Sequence, residues 1–313
     1  MQEVKHTSIR ACSIFINIWC ADREINELKT QATERNQLVN RLCPSAQSLA
    51  DHLDLDLKAD SHRADTDFVR GTGLNESIKF QARARWLANT SRFRKWLRTA
   101  ESGVLFVQGN GELDPTSPLS FLDTLLIERL GEYPKTLVLP FFCGVYDAPY
   151  SSESMSGPVI MVRALLSQLL SLEEIHGGNG TGKDGLPFLS FLSQEKIASL
   201  EGGSFATSID TITILLSSLV CHYDSIFLII DGLDYFDSEW EAETKRLIKR
   251  FVKLVRQLNE RRRKGTEVIG SLKMLLTVST YLEYVPERGK GVMKLDVPEE
   301  VDEDGIDELS GDE

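Results

Sequence analysis

The sequence predicts an α/β fold, with a parallel sheet flanked by helices and preceded by an α-helical N-terminal segment. Short runs of branched and aromatic residues alternate with longer stretches whose apolar residues fall at helical spacing. Two of the short runs stop abruptly, one at a glycine and one at a single carboxylate. Strands that alternate with helices in this way are joined by right-handed crossovers and covered on both faces.

The order along the chain supports this. From Ser8 to about Leu57, Ile14, Ile18, Ile25, Leu28, Leu38 and Leu42 lie near three- and four-residue spacings, so one or two amphipathic helices are expected, broken at Pro44. Residues 58–75 are polar with Gly71 and Gly73, and suggest a linker. A helical stretch over Glu76 to Thr99 carries Phe80, Trp86, Phe93, Trp96 and Leu97. Gly103 to Gln108 has the character of a buried strand feeding a tight loop. Leu119 to Leu130 is a helix with Ser117 as N-cap and Pro118 at its first position. Leu137 to Cys143 is strand-like, Val159 to Leu172 helical, and Gly177 to Gly185 a glycine-rich loop. Ile209 to Tyr223 presents one apolar face, and Ser225 to Asp231 is the strongest strand. A helix over Glu239 to Lys264 and strands at Leu272 to Val278 and Val292 to Val297 complete the pattern. The expected organisation is a helical segment 1–57, a linker 58–75, an α/β domain 76–297 and a disordered acidic tail 298–313.

Of the formal net charge of -12, ten carboxylates lie between Asp296 and Glu313, where no Lys or Arg occurs. The body is thus close to neutral, and its charge argues for neither a nucleic-acid nor a membrane partner. Arg261 to Lys264 is a basic cluster that a helix C-terminus favours. The five cysteines are scattered without CxxC spacing, as free thiols in a reducing, cytoplasmic setting are. Neither they nor the dispersed histidines suggest a metal site. No stretch reaches the length needed to span a bilayer.

In such sheets ligands sit at the carboxyl ends of the strands, which directs attention to the loop after Gln108 and to Asp231. A phosphate-binding loop needs GxxxxGK[ST] between strand and helix, so that backbone N–H groups, a lysine and a hydroxyl hold the phosphates and magnesium. Here the residues are Gly109-Asn-Gly111-Glu-Leu-Asp114-Pro115-Thr116. Gly109 and Thr116 keep the ends, with Gly111 between. Asp114 replaces the second glycine, Pro115 replaces the lysine and lacks an N–H, and Asp114 and Glu112 repel a triphosphate. Gly177 to Lys183 matches GxxxxGK literally but follows a helix, so a connector is the better reading. The other half of such a site is the strand-end carboxylate on the magnesium side, the role open to Asp231 as a metal-binding residue. Asp234 stands nearby, with Tyr235 where an acidic residue is expected. A turn-capping aspartate is the structural alternative for Asp231.

A Trp-Leu pair before the first strand, Gly103 to Gly109, Phe141-Phe-Cys143, the Val162-Arg-Ala-Leu-Leu-Ser-Gln-Leu-Leu170 helix, the Asp231-Gly-Leu-Asp234 strand end and Leu275-Leu-Thr-Val-Ser279 together resemble the NACHT-type P-loop NTPase domains of filamentous fungi, often labelled nephrocystin-3-like N-terminal domains. The resemblance implies a signalling ATPase that switches with nucleotide and oligomerises. This chain departs from it at the lysine, at Tyr235 and at Ser279-Thr280-Tyr281, which lacks an arginine. The expectation is a degenerate pseudo-NTPase, not an enzyme, without cofactor, that acts through protein partners or homo-oligomers by the helices before residue 100. In it, Gly109, Gly111, Thr116, Asp231 and Asp234 form a vestigial nucleotide site. The alternative is a slow or binding-only switch that takes ATP and Mg2+.

Overall fold

The computed structural model describes residues 61–111, 113–146, 157–177, 205–265, 270–280 and 291–301. The expected helices within 1–57, residues 58–60, the Gly178 to Gly185 part of the glycine-rich loop and residues 302–313 of the tail lie outside them. Helices α1 (Ser61–Leu74), α2 (Ile78–Asn89) and α3 (Ser91–Arg98) lead into β1 (Gly103–Gln108), α4 (Pro118–Gly131) and β2 (Thr136–Phe142). A single turn, α5 (Cys143–Tyr146), precedes α6 (Pro158–Gly177) and α7 (Phe205–Leu219). Then come β3 (Ser225–Asp231), a 3-10 turn (Leu233–Phe236), α8 (Asp237–Lys264), β4 (Ser271–Val278) and β5 (Val292–Asp296).

The five strands form one parallel sheet in the order β2-β3-β4-β1-β5. The chain leaves β1 toward one edge and every later strand toward the other, so β1 sits at the point where the winding reverses. Its register places Gly103 opposite Lys273 on one side and Val104 opposite Val292 on the other. Alternation along the strands sorts the core into two layers. Val104, Phe106, Leu228, Ile230, Met274 and Leu276 pack under α6, α7 and α8. Leu105, Val107, Phe227, Ile229, Leu275 and Leu295 pack under α2, α3 and α4. Pro140, which cannot donate to a neighbour, lies in edge strand β2, and its carbonyl accepts from Gln168 Nε2 of α6 at 2.8 Å.

Two expectations about the chain before β1 change. Residues 58–75, expected as a linker, carry helix α1 from Ser61 onward. Gly73 is there for close approach and not for flexibility, because a Cβ on it would lie 2.4 Å from the Phe121 ring of α4. Gly73→Ala is accordingly expected to cost about 1–3 kcal/mol through overpacking, measurable as a shift of the urea midpoint. A variant as stable as the parent would show that α1 does not need this contact.

The expected single helix from Glu76 to Thr99 is two helices broken at Thr90. That residue caps both: its N–H donates to Trp86 and Leu87 carbonyls, and its hydroxyl oxygen accepts from Phe93 N at 3.3 Å. A β-branched residue with a side-chain acceptor favours this role over a helix interior. Trp96 anchors α3 to the sheet. It is 1% exposed, stacks edge-on against Phe227 at 6.1 Å, and donates from Nε1 to Gly103 O at 3.2 Å.

Lys273, in the middle of apolar strand β4, is buried. Its Nζ donates to the carbonyls of Trp96 and Thr99 at 2.7 and 2.6 Å, so it satisfies the open end of α3, and burial lowers its pKa to about 8. Cys143 is buried and Cys221 exposed. Among the described residues no helix is long and apolar enough to cross a membrane.

Candidate functional site

The end of β1 and the start of α4 are joined by the loop Gly109–Ser117, at the carboxyl edge where the winding reverses. Gly109 N donates to Val278 O and Gly111 N to Ser279 O, both at 2.7 Å, so the loop is held against the end of β4. A Cβ on Gly109 would meet both of those carbonyls at 3.1 Å, which explains the glycine. Asn110 turns the chain with φ 51, a left-handed conformation that asparagine tolerates. Its side chain accepts from Gln108 Nε2 and donates to Val297 O, each at 2.8 Å, which fastens the loop to the chain leaving β5.

The N-terminus of α4 is closed on itself. Ser117 and Ser120 form a capping box: Ser120 N donates to Ser117 Oγ at 3.1 Å, and Ser117 N to Ser120 Oγ at 3.0 Å. Pro118 and Pro115 have no N–H to offer. Pro115 also packs across to the other strand ends. A Cβ on Gly144 of α5 would lie 2.9 Å from Pro115 Cα and 3.0 Å from the Tyr235 ring, so the residue in the lysine's place and the residue in the acid's place meet over this one glycine.

Asp231 ends β3 and is 3% exposed. It accepts from Thr277 Oγ1 at 2.5 Å, and Thr277 Oγ1 in turn accepts from Gly232 N at 3.1 Å. Burial, reinforced by the charge of Asp234, pushes its pKa up to about 6 against hydrogen bonds from Ser120 and Thr277 that lower it. Facing it is Asp123 of α4, 1% exposed, whose two carboxylate oxygens lack hydrogen-bond partners among the described residues. Burial and then the Asp231 charge push Asp123 well above the usual carboxylate range. Asp234 accepts from Thr280 N and Oγ1 at 2.8 and 2.9 Å through Oδ2, while its Oδ1 is buried without a partner among the described residues. Among the described residues no three His, Cys, Asp or Glu side chains gather as a metal cluster.

An open cleft of ≈ 340 Å³ lies on the other side of the loop, between α2, the start of α4 and the chain after β5. Gly109, Gly111 and Thr116 line it, whereas Asp231 and Asp234 do not. The five site residues read from the sequence thus fall into two groups separated by the capped start of α4.

The cleft's cations come from α2, which sequence reasoning did not connect to the loop. Arg83 Nη2 donates to Gly109 O and, at 3.3 Å, to Asn110 O, and Lys79 lies one turn before it. Burial lowers the Arg83 pKa, and the carboxylate of Glu299 opposes that shift. Asp123 was also missed, although it is the single charged residue between Leu119 and Ile127, a signal like the one that exposed Asp231.

No curated protein matches the chain. Residues 83–277 match the family model described as Nephrocystin 3, N-terminal. That span runs from the arginine that holds the loop to the threonine that holds Asp231, and so takes in β1 to β4 and the loop itself. On this match the chain belongs to the nephrocystin 3 N-terminal family.

Proposed function

We propose that this domain is a degenerate, catalytically inactive NTPase-like module of the NACHT type that acts in signalling by binding protein. The observation that carries the reading is the close approach of the Pro115 backbone and the Tyr235 ring to Gly144, which brings together the two residues that stand in the places of the lysine and the acid. The capped start of α4 supports it, since Ser117 N and Ser120 N are already bonded within the capping box and Pro118 has no N–H. Asp231 supports it as well, because its oxygens are turned to Thr277 and Ser120 and it does not line the cleft. The residues present therefore do not fit a magnesium-bound triphosphate. The side chains of Phe68, Leu74 and Ile78, each more than half exposed on α1 and α2, offer apolar surface to a protein partner.

Calorimetric titration with Mg2+ and ATP is expected to give no saturable heat up to 1 mM nucleotide. A dissociation constant below 1 mM, equivalent to about 4 kcal/mol, overturns the reading.

A second reading, a slow or binding-only ATP switch, is favoured by one observation: Lys79 and Arg83 bring positive charge to the cleft beside Gly109, Gly111 and Thr116. Under it, ATP at 100 times its dissociation constant would stabilise the fold by about 2.7 kcal/mol, and Lys79→Glu would abolish that shift.

A further inference from the structure

Helices α2 and α3 are one of two strongly basic stretches of a nearly neutral body; the other, Lys245 to Lys264 of α8, packs on the opposite face of the sheet. From Ser77 to Ala100 the chain carries seven Lys and Arg and no Asp or Glu. Lys79, Arg85, Lys95 and Arg98 are exposed, and among the described residues none of them has a carboxylate partner. The side of the domain that bears these helices also carries β5, on which α3 packs. From the end of β5 the chain runs past the cleft. Val297 O is held by Asn110, and Glu299 lies at the cleft rim, close enough for its charge to act on Arg83. Asp114 is the other carboxylate of the cleft, and Arg85, Lys95 and Arg98 lie outside it.

Beyond Val301 follow twelve residues that contain seven Asp and Glu and no Lys or Arg. We infer that this acidic segment, Asp302 to Glu313, is the occupant of the basic face of α2 and α3, and extends the course that Val297 and Glu299 begin. Length permits it. Twelve residues reach up to about 40 Å, while α2 and α3 are about 18 and 12 Å long. Charge favours it too, because a segment tethered at the edge of the cationic face has a high effective concentration there. The inference goes beyond the proposed loss of nucleotide chemistry: the face is closed to other polyanions while its own chain covers it.

The test uses the full chain. An equal mixture of 15N-labelled and unlabelled protein is treated at low salt with a carbodiimide, which joins a lysine amine to a carboxylate as an amide, and is analysed by mass spectrometry. The expected products link Lys79 or Lys95 to carboxylates of 302–313 within one copy, and 1 M salt suppresses them. Links that combine labelled with unlabelled peptides in the statistical proportion expected between copies overturn the inference in favour of a second copy as occupant. Absence of such links, while an added acidic peptide does couple to Lys79 and Lys95, overturns it outright.

A second measurement compares the parent with a variant in which the seven carboxylates of 302–313 become amides. Uncovering the face is expected to tighten binding of a single-stranded oligonucleotide at least tenfold at low salt. Equal binding by both proteins shows an open face and refutes the inference.

Discussion

Raising the pH from 4 to 8 is expected to remove about 3 kcal/mol of folding stability through Asp231 alone. In the unfolded chain this carboxyl titrates near 3.8, and in the fold burial moves it to about 6. Between those values the folded state keeps a proton that the unfolded state has released. The contribution is therefore fully present below about pH 4 and is lost as the pH rises through 6. Asp123 acts in the same direction, since it is buried against Asp231 with no hydrogen-bond partner among the described residues and is pushed up further. Asp234 from the 3-10 turn adds to the repulsion, while the hydroxyls of Ser120 and Thr277 ease it.

Urea unfolding across this range, for the parent and for Asp231→Asn and Asp123→Asn, isolates the effect from other carboxylates. Asp123→Asn is expected to gain stability at pH 8 and to change little at pH 4. Asp231→Asn is expected to flatten the parent's pH dependence by about the 3 kcal/mol above. If both variants follow the parent's profile, the two carboxylates do not interact in the fold.

Trp96→Ala is expected to cost about 3–5 kcal/mol, the range for deleting a fully buried large aromatic. The indole fills the layer between α3 and the sheet, touches Phe93 and Phe227 at 5.8 and 6.1 Å, and holds Gly103 O. Its loss also loosens the α3 end that Lys273 caps, so the buried ammonium would face a less ordered partner. Trp96→Phe keeps most of the apolar volume and gives up the hydrogen bond, so a cost of about 1 kcal/mol is expected. Thermal unfolding of both variants checks the pair. If they lose equal stability, the indole N–H matters more than the packing.

The sheet was legible because buried parallel strands are short apolar runs with abrupt ends. Ser225 to Asp231 and Gly103 to Gln108 were read with the bounds that the structure gives them. Ser117 and Pro118 marked the start of α4 through chemistry local to the chain. Residues whose role depends on a distant element were not legible. Gly73 looked like a flexible joint because the Phe121 ring that needs its missing Cβ lies 48 residues away. Arg83 carries no local signal of its role, and only folding brings it to the carbonyls of Gly109 and Asn110. Pro115 and Tyr235, two positions that the sequence marked separately as departures, both approach Gly144, and no local signal shows it.

That order also sets a timetable for synthesis. β2 and β3 pair with each other, but both neighbours of β1 are contributed by residues after 270. A nascent chain therefore carries its first strand with two unsatisfied edges until nearly the whole domain has left the ribosome. Contacts at such separation are slow to form, and exposed strand edges invite self-association. Chains that stop short of Ser271 should accumulate as aggregates even though most of their helices are in hand.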